Sequence, residues 1–272
     1  MDNYIHLDLF SGIGGFALAA RNAGWTFAHS YHSDIEPFPL KVYEKHFPES
    51  ISLGNIKEID GYKLKQQHPN CKWLITAGFP CQNISNGGQK EGIYGDRSSL
   101  WFEVRRLVSE ISPEWLVLEN VEIIRSRGGL QVITDLASMG YASEWGVIPA
   151  WWSGVPQRRH RWLCCAYPNC SPLATNRLLP SCGTNLVEMF KPWQSSNGGT
   201  VLSDWQGETT SQQYQSSSKL CRISDGFPAG MDLPLMDKKE VVDRIRALGN
   251  SIVPGAVEPI LRRMRELTYP SQ

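Results

Sequence analysis

The sequence has no charge of one sign in excess: 27 Lys and Arg balance 27 Asp and Glu. No global field draws in a polyanion, so any contact with nucleic acid must come from local clusters of Lys and Arg. Long apolar runs are missing too, and no stretch approaches the roughly 18 residues that a membrane-spanning helix needs. The opening MDNYIHLDLF places acids inside its apolar stretch, unlike a signal peptide, so a cytoplasmic location without membrane association is expected. Paired CxxC units are absent. The seven cysteines are an odd number, which favours reduced thiols over a disulfide framework. Cys164, Cys165, Cys170, Cys182 and Cys221 have spacings that suit small buried or surface thiols better than a structural zinc site, so no metal is expected.

A hydrophobic content of 41% with 20% charged residues fits a globular protein with a real core. A length of 272 residues suits one large domain plus a small second lobe. Over the first 167 residues, apolar runs alternate with helical patterns, the signature of a mostly parallel sheet with helices on both faces. Strands are expected at Tyr4–Phe10, Phe27–His32, Trp73–Ala77 and Trp115–Leu118, and a hairpin-like pair at Ala142–Ile148 and Arg161–Tyr167. Helices are expected at Phe16–Ala23, Ser98–Ile111 and Leu130–Met139, then at Lys238–Leu248 and Pro254–Leu267. Between them, residues 168–221 turn rich in Ser, Thr, Asn, Gln, Gly and Pro and lose helical periodicity, which reads as a small irregular lobe.

The polar and Gly-rich motifs each follow a predicted strand: Ser11–Gly15, Ser33–Glu36, Phe79–Ser85, and Glu119 with Asn120. In open α/β sheets the ligand site lies outside the carboxyl ends of the strands, so these four segments converge on one edge. SGIGG (11–15) lets backbone approach a nucleotide-type cofactor and opens a helix. Asp34, at the end of the second strand, can accept ribose hydroxyls. NAD-binding chains share that layout, but the glycine spacing departs from GxGxxG. Cys81, in GFPCQNIS (78–85), follows a proline at the mouth of the sheet, and the glycines after it suit a closing active-site loop. The alternative for a lone cysteine is a buried structural thiol; for Glu119 it is a solvated or capping acid, and for QRRHR (157–161) a solvated loop.

Together these segments resemble the DNA cytosine-5 methyltransferase family. DLFSGIGGF (8–16), AGFPCQNIS (77–85), GDRSSLWFEVRRL (95–107), ENV (119–121), GVPQRRHR (154–161) and ALGNSIVP (247–254) occur in the family's order. The resemblance implies an S-adenosylmethionine (SAM)-dependent, Rossmann-like α/β fold over residues 1–167 and 236–272, with a compact target-recognition lobe over 168–235. It implies that Phe10, Gly12, Gly14 and Gly15 line the SAM pocket, that Asp34 binds the ribose and that Ile35 packs on adenine. Phe79, Leu100, Asn250 and Ser251 would complete the cofactor wall, and Asn55 would accept from the adenine amino group where the family usually has Asp. Cys81 would be the nucleophile, Glu119 the carboxyl group at cytosine N3, Arg161 the donor to O2, and Arg159 a support for the site and its closed loop; Gln157 completes the match. The substrate implied is a flipped-out cytosine in a short sequence of double-stranded DNA, with a cognate restriction endonuclease as a candidate partner and a monomer as the expected state. Phosphate contacts are expected from residues 157–161, Lys41, Lys45 and the C-terminal helices. Two other readings of the same motifs are tRNA cytosine-5 methylation and a catalytically silent DNA-binding relic.

Overall fold

The computed structural model describes residues 3–80, 100–153, 159–170 and 238–270. Cys81, Gln157 and most of the expected lobe (171–235) lie outside the described residues, as does Ser98, the expected start of the second helix.

Seven strands form one sheet in the order β3-β2-β1-β4-β5-β7-β6. β1 (Tyr4–Leu9), β2 (His29–Ser33), β3 (Ile51–Ser52), β4 (Lys72–Gly78) and β5 (Trp115–Val121) run parallel. β6 (Tyr141–Pro149) and β7 (His160–Pro168) are antiparallel to each other, and β7 is antiparallel to β5. The expected hairpin-like pair is therefore present, with its second strand inside the sheet and its first at the edge.

Both faces of the sheet are covered, and period-two alternation divides the side chains between them. Ile5, Leu7, Leu9, Ile75, Leu116 and Leu118 join one core with Trp101, Val104 and Leu107 of α4 (Leu100–Ile111) and with α5 (Gly129–Ser138). Tyr4, Leu74, Trp115 and Val117 join the opposite core with α1 (Gly15–Asn22) and α7 (Pro254–Thr268). α7 packs beside α1; Trp25 Nε1 donates to the Leu261 carbonyl at 2.8 Å, and an Arg262 Nη donates to the Asn22 carbonyl at 3.2 Å. A third cluster joins α1 to α2 (Pro37–His46) and α6 (Lys238–Asn250) through Ile13, Leu18, Tyr43, Phe47 and Leu248.

Two departures from the sequence reading bear on the site. β5 continues past Leu118 to Val121, because β7 extends the ladder to the pair Val121–Arg161, so Glu119 and Asn120 belong to the strand itself. Three short elements, α2, β3 and α3 (Gly61–Gln67), lie where the sequence reading marked none.

Candidate functional site

The chain runs β1→β2→β3 in one direction across the sheet and β4→β5 in the other, so the carboxyl ends of β1, β2 and β4 flank a topological switch point. A cleft of about 520 Å³ opens there.

Its first wall is the turn from β1 into α1. Phe10 stands at φ 55°, a left-handed conformation that costs a non-glycine residue energy and clusters at functional sites. Gly12 follows at φ 53°, and its amide donates to Asp34 Oδ2 at 2.8 Å. The Ser11 amide donates to the Ser33 carbonyl at 3.1 Å, which fastens this turn over the end of β2. Asp34 Oδ1 accepts the amides of Ile35 and Glu36 at 2.7 and 2.9 Å. Three backbone donors thus fix this carboxylate, and one lone pair on Oδ2 remains for an outside hydroxyl, one acceptor site where the sequence suggested room for two hydroxyls.

The second wall is the segment after β3. Ser33 Oγ donates to the Gly54 carbonyl at 2.7 Å, and Asn55 Oδ1 caps a short 3₁₀ turn (Ile56–Glu58) by accepting the Lys57 amide at 3.1 Å. Asn55 therefore lines the cleft with half of its carbonyl capacity already used.

The third wall comes from β4 and β5. Gly78 sits directly opposite Glu119, and Asn120 Nδ2 donates to the Phe79 carbonyl at 2.9 Å while its Oδ1 takes the Val121 amide at 2.8 Å. Asn120 thereby anchors the backbone immediately ahead of Pro80. Glu119 is 7% exposed, and its Oε1 lies 2.7 Å from Arg161 Nε. Burial raises the Glu119 pKa, and the charges of Arg161 and then Arg159 oppose that rise.

The fourth wall is the α6–α7 junction, including Arg246, Gly249, Asn250 and Ser251. Buried Arg159 ties it to β7: its guanidinium donates to the carbonyls of Leu248, at 3.4 Å, and Ser251.

Ten of the eleven residues expected to contact a cofactor therefore line one cleft: Phe10, Gly12, Gly15, Asp34, Ile35, Asn55, Phe79, Leu100, Asn250 and Ser251. Gly14 is not among the lining residues. It caps α1 at φ 89° away from the cleft, and a Cβ there would lie 2.6 Å from the Phe47 ring, so its lack of a side chain serves packing against α2. Glu119 and Arg161 face the same cleft, whereas Arg159 supports it from behind. The sequence reading assigned no roles to Ser11, Asn120 or Arg246. Asn120 and Arg246 stand within or beside quoted motifs, but nothing in their spacing reveals which backbone or cavity they meet.

The family model for C-5 cytosine-specific DNA methylase matches residues 4–224. The type II methyltransferase M2.BsuMI of Bacillus subtilis is 34% identical over 163 residues, covering 57% of this chain and 40% of that protein. M.DsaV of Dactylococcopsis salina is 31% identical over 159 residues (57% and 43%), and M.HhaI of Haemophilus parahaemolyticus 30% over 159 (57% and 46%). The match thus spans less than half the length of each of these relatives. Among solved structures, the S. pombe Dnmt2 methyltransferase aligns with a TM-score of 0.67 at 18% identity, over 97% of this chain and 99% of that one. A putative DNA modification methyltransferase encoded within an E. coli prophage aligns at 0.64 with 17% identity, again over 97% and 99%. At such identities the structures speak for the fold, and the Rossmann-like α/β architecture agrees. The family match covers most of the chain, which makes it a member of the C-5 cytosine-specific DNA methylase family.

Proposed function

We propose that the chain transfers a methyl group from SAM to C5 of a flipped-out cytosine in a short sequence of duplex DNA. The observation that carries this reading is buried Glu119, facing the cleft opposite Gly78 and paired with Arg161. A carboxyl group kept from easy ionisation by burial can donate to a ring nitrogen, which few other functions of this fold require.

The cleft suits an adenosine-type cofactor. Ser11 Oγ is buried at its wall without a partner among the described residues, Asp34 keeps one acceptor site, and Ile35 is an apolar side chain left 68% exposed. Asp34 would hold a ribose hydroxyl, Ile35 would pack on the adenine, and Phe10, Gly12 and Gly15 would let backbone approach closely. When bound, SAM supplies an electrophilic methyl group.

Cys81 would add as its thiolate to cytosine C6, forming an S–C6 bond and making C5 nucleophilic. Glu119 would hydrogen-bond or protonate N3 as negative charge develops in the ring, and Arg161 would donate to O2. Once C5 has taken the methyl group, leaving S-adenosylhomocysteine, its proton leaves to a base, the C5–H electrons restore the C5–C6 double bond, and the S–C6 electrons return to sulfur as the thiolate departs. A stacked base is out of reach of this chemistry, so the cytosine must leave the duplex at a cost of a few kcal/mol. Residues 1–167 and 236–272 would form the catalytic domain and 168–235 the target-recognition lobe.

Methyl transfer from labelled SAM to duplex DNA tests the reading. Cys81→Ser is expected to abolish it, and a duplex carrying 5-fluorocytosine is expected to trap a covalent complex. Transfer to tRNA in preference to duplex DNA, or undiminished turnover by Cys81→Ser, would overturn it.

A further inference from the structure

We propose that Arg106 is a positioning residue for the cofactor side of the cleft, acting through the turn that carries Asn55 and Ile56; the inference rests on SAM occupying that cleft.

Arg106 lies in α4, one turn beyond Glu103 and one turn before Glu110. Leu100, Glu103, Arg106 and Glu110 follow helical spacing along one stripe, and its first member, Leu100, lines the cleft. From this stripe the guanidinium reaches out of its own helix. Nη1 donates to the Ile59 carbonyl at 2.8 Å and Nη2 to the Ile56 carbonyl at 3.0 Å. Glu103 receives Nε at 2.9 Å, and both Glu110 oxygens receive Nη1 at 3.0 Å. Glu110 Oε2 also accepts the Gly61 amide at 2.8 Å. The turn from Ile56 to Gly61 is therefore held at three backbone groups by two side chains of one helix.

This differs from an ordinary surface ion pair, which contributes little because two long side chains must be ordered in water. The carboxylates fix the guanidinium plane, and the guanidinium fixes carbonyls. Asn55 and Ile56, at the start of the held turn, face the cleft. α4 thus contributes to the cofactor wall twice, directly through Leu100 and indirectly through Arg106. Gly61 fits the same reading: a Cβ there would lie 2.6 Å from Glu110 Oε2, so the turn is pressed against the clamp. Lysine offers a single ammonium point and lacks the planar fork that spans two carbonyls and two carboxylates.

The test measures SAM affinity of the full chain by titration calorimetry, alongside melting temperature and steady-state kinetics. Arg106→Gln and Arg106→Lys are each expected to weaken SAM binding about tenfold. At saturating SAM, kcat and the KM for DNA should stay within about twofold. Tyr141→Phe, which removes a hydrogen bond to the Pro113 carbonyl away from the cleft, controls for general loosening; it should lower the melting temperature and leave SAM affinity unchanged. If Arg106→Gln does not fold, Glu103→Ala removes only the Nε partner, and about threefold weaker binding is expected. SAM affinity within twofold of wild type in either folded Arg106 variant, or equal weakening by Tyr141→Phe, overturns the clamp. A wild-type protein that binds no SAM overturns the cofactor reading itself, an outcome distinct from variants that keep a normal affinity.

Discussion

Arg161 Nε meets Glu119 Oε1 at 2.7 Å on the diagonal of the β5–β7 ladder, two residues from Leu163, which is the direct partner of Glu119. The two side chains share one face of the sheet because residues two apart in a strand do. Glu119→Gln keeps the shape and removes the ionisable proton. Turnover is expected to fall about 10²- to 10⁴-fold, the range of a lost general acid. SAM affinity, measured by calorimetry, should stay within about twofold, since Glu119 acts on the base. Equal loss in both would move Glu119 from chemistry to cofactor binding.

The same pair fixes a pH dependence. Burial favours the protonated Glu119 carboxyl, and Arg161 favours the carboxylate. Activity that needs the proton must decline as pH rises through the Glu119 pKa. Arg161→Gln removes the larger opposing charge, so the carboxyl keeps its proton to higher pH. The alkaline limb of the pH–rate profile should move upward, even though the maximum rate falls with loss of the O2 donor. A limb that stays put or moves down would dissociate Glu119 from that ionisation.

Gly12 and Gly14 are both left-handed but for different reasons, and substitution separates them. An alanine at 12 meets open space, so Gly12→Ala should cost only the backbone term of about 1–2 kcal/mol. At 14 the methyl group also collides with the Phe47 ring, which adds about 1–3 kcal/mol of crowding. Phe47→Leu in the Gly14→Ala background should recover only the crowding part. Urea denaturation of the four proteins reads this directly.

A buried chain under the site sets stability against pH. His6 Nε2 lies 2.9 Å from Thr76 Oγ1, and the Thr76 hydroxyl donates to Asp8 Oδ1 at 2.8 Å. Burial pushes Asp8 up to about 8 and His6 down to about 3. Asp8 contributes stability that is complete below its ordinary pKa of 3.8 and lost as pH rises through about 8. His6 contributes in the opposite sense, with stability complete above 6.5 and lost as pH falls through about 3. Their slopes cancel where the windows overlap, and the Asp8 decline stands alone from about pH 6.5 to 8 at about 1.4 kcal/mol per pH unit. Asp8→Asn should erase that decline while still accepting the Thr76 hydroxyl. Parallel pH slopes in wild type and Asp8→Asn would refute the buried proton.

What could be read from sequence follows from burial. β4 and β5, covered on both faces, appear as apolar runs, and α4 shows an unbroken helical period because Val104, Leu107, Val108 and Ile111 all enter the core. α2 escaped because Pro37 and Pro39 disguise a helix whose buried residues are only Val42 and Tyr43. α3 buries little beyond Leu64, so its period has almost nothing to display. The cleft residues were legible as motifs, yet the groups that hold them were not. Asn120 and Arg106 act on main-chain carbonyls, and a carbonyl exists at every position, so no pattern of side chains betrays which one is used.

β7 runs against its neighbour β5, and this reverses which part of a strand the cleft sees. β2, β4 and β5 offer the cleft their finishing residues, but β7 offers an opening one, Arg161, which pairs with Val121 where β5 ends. Removing one residue just inside β7 would turn every following side chain over, sending the Arg161 position to the far face of the sheet. Changes in the connection ahead of β7 that leave its register intact keep the arginine aimed; the ladder acts as a ratchet that accepts whole steps of two.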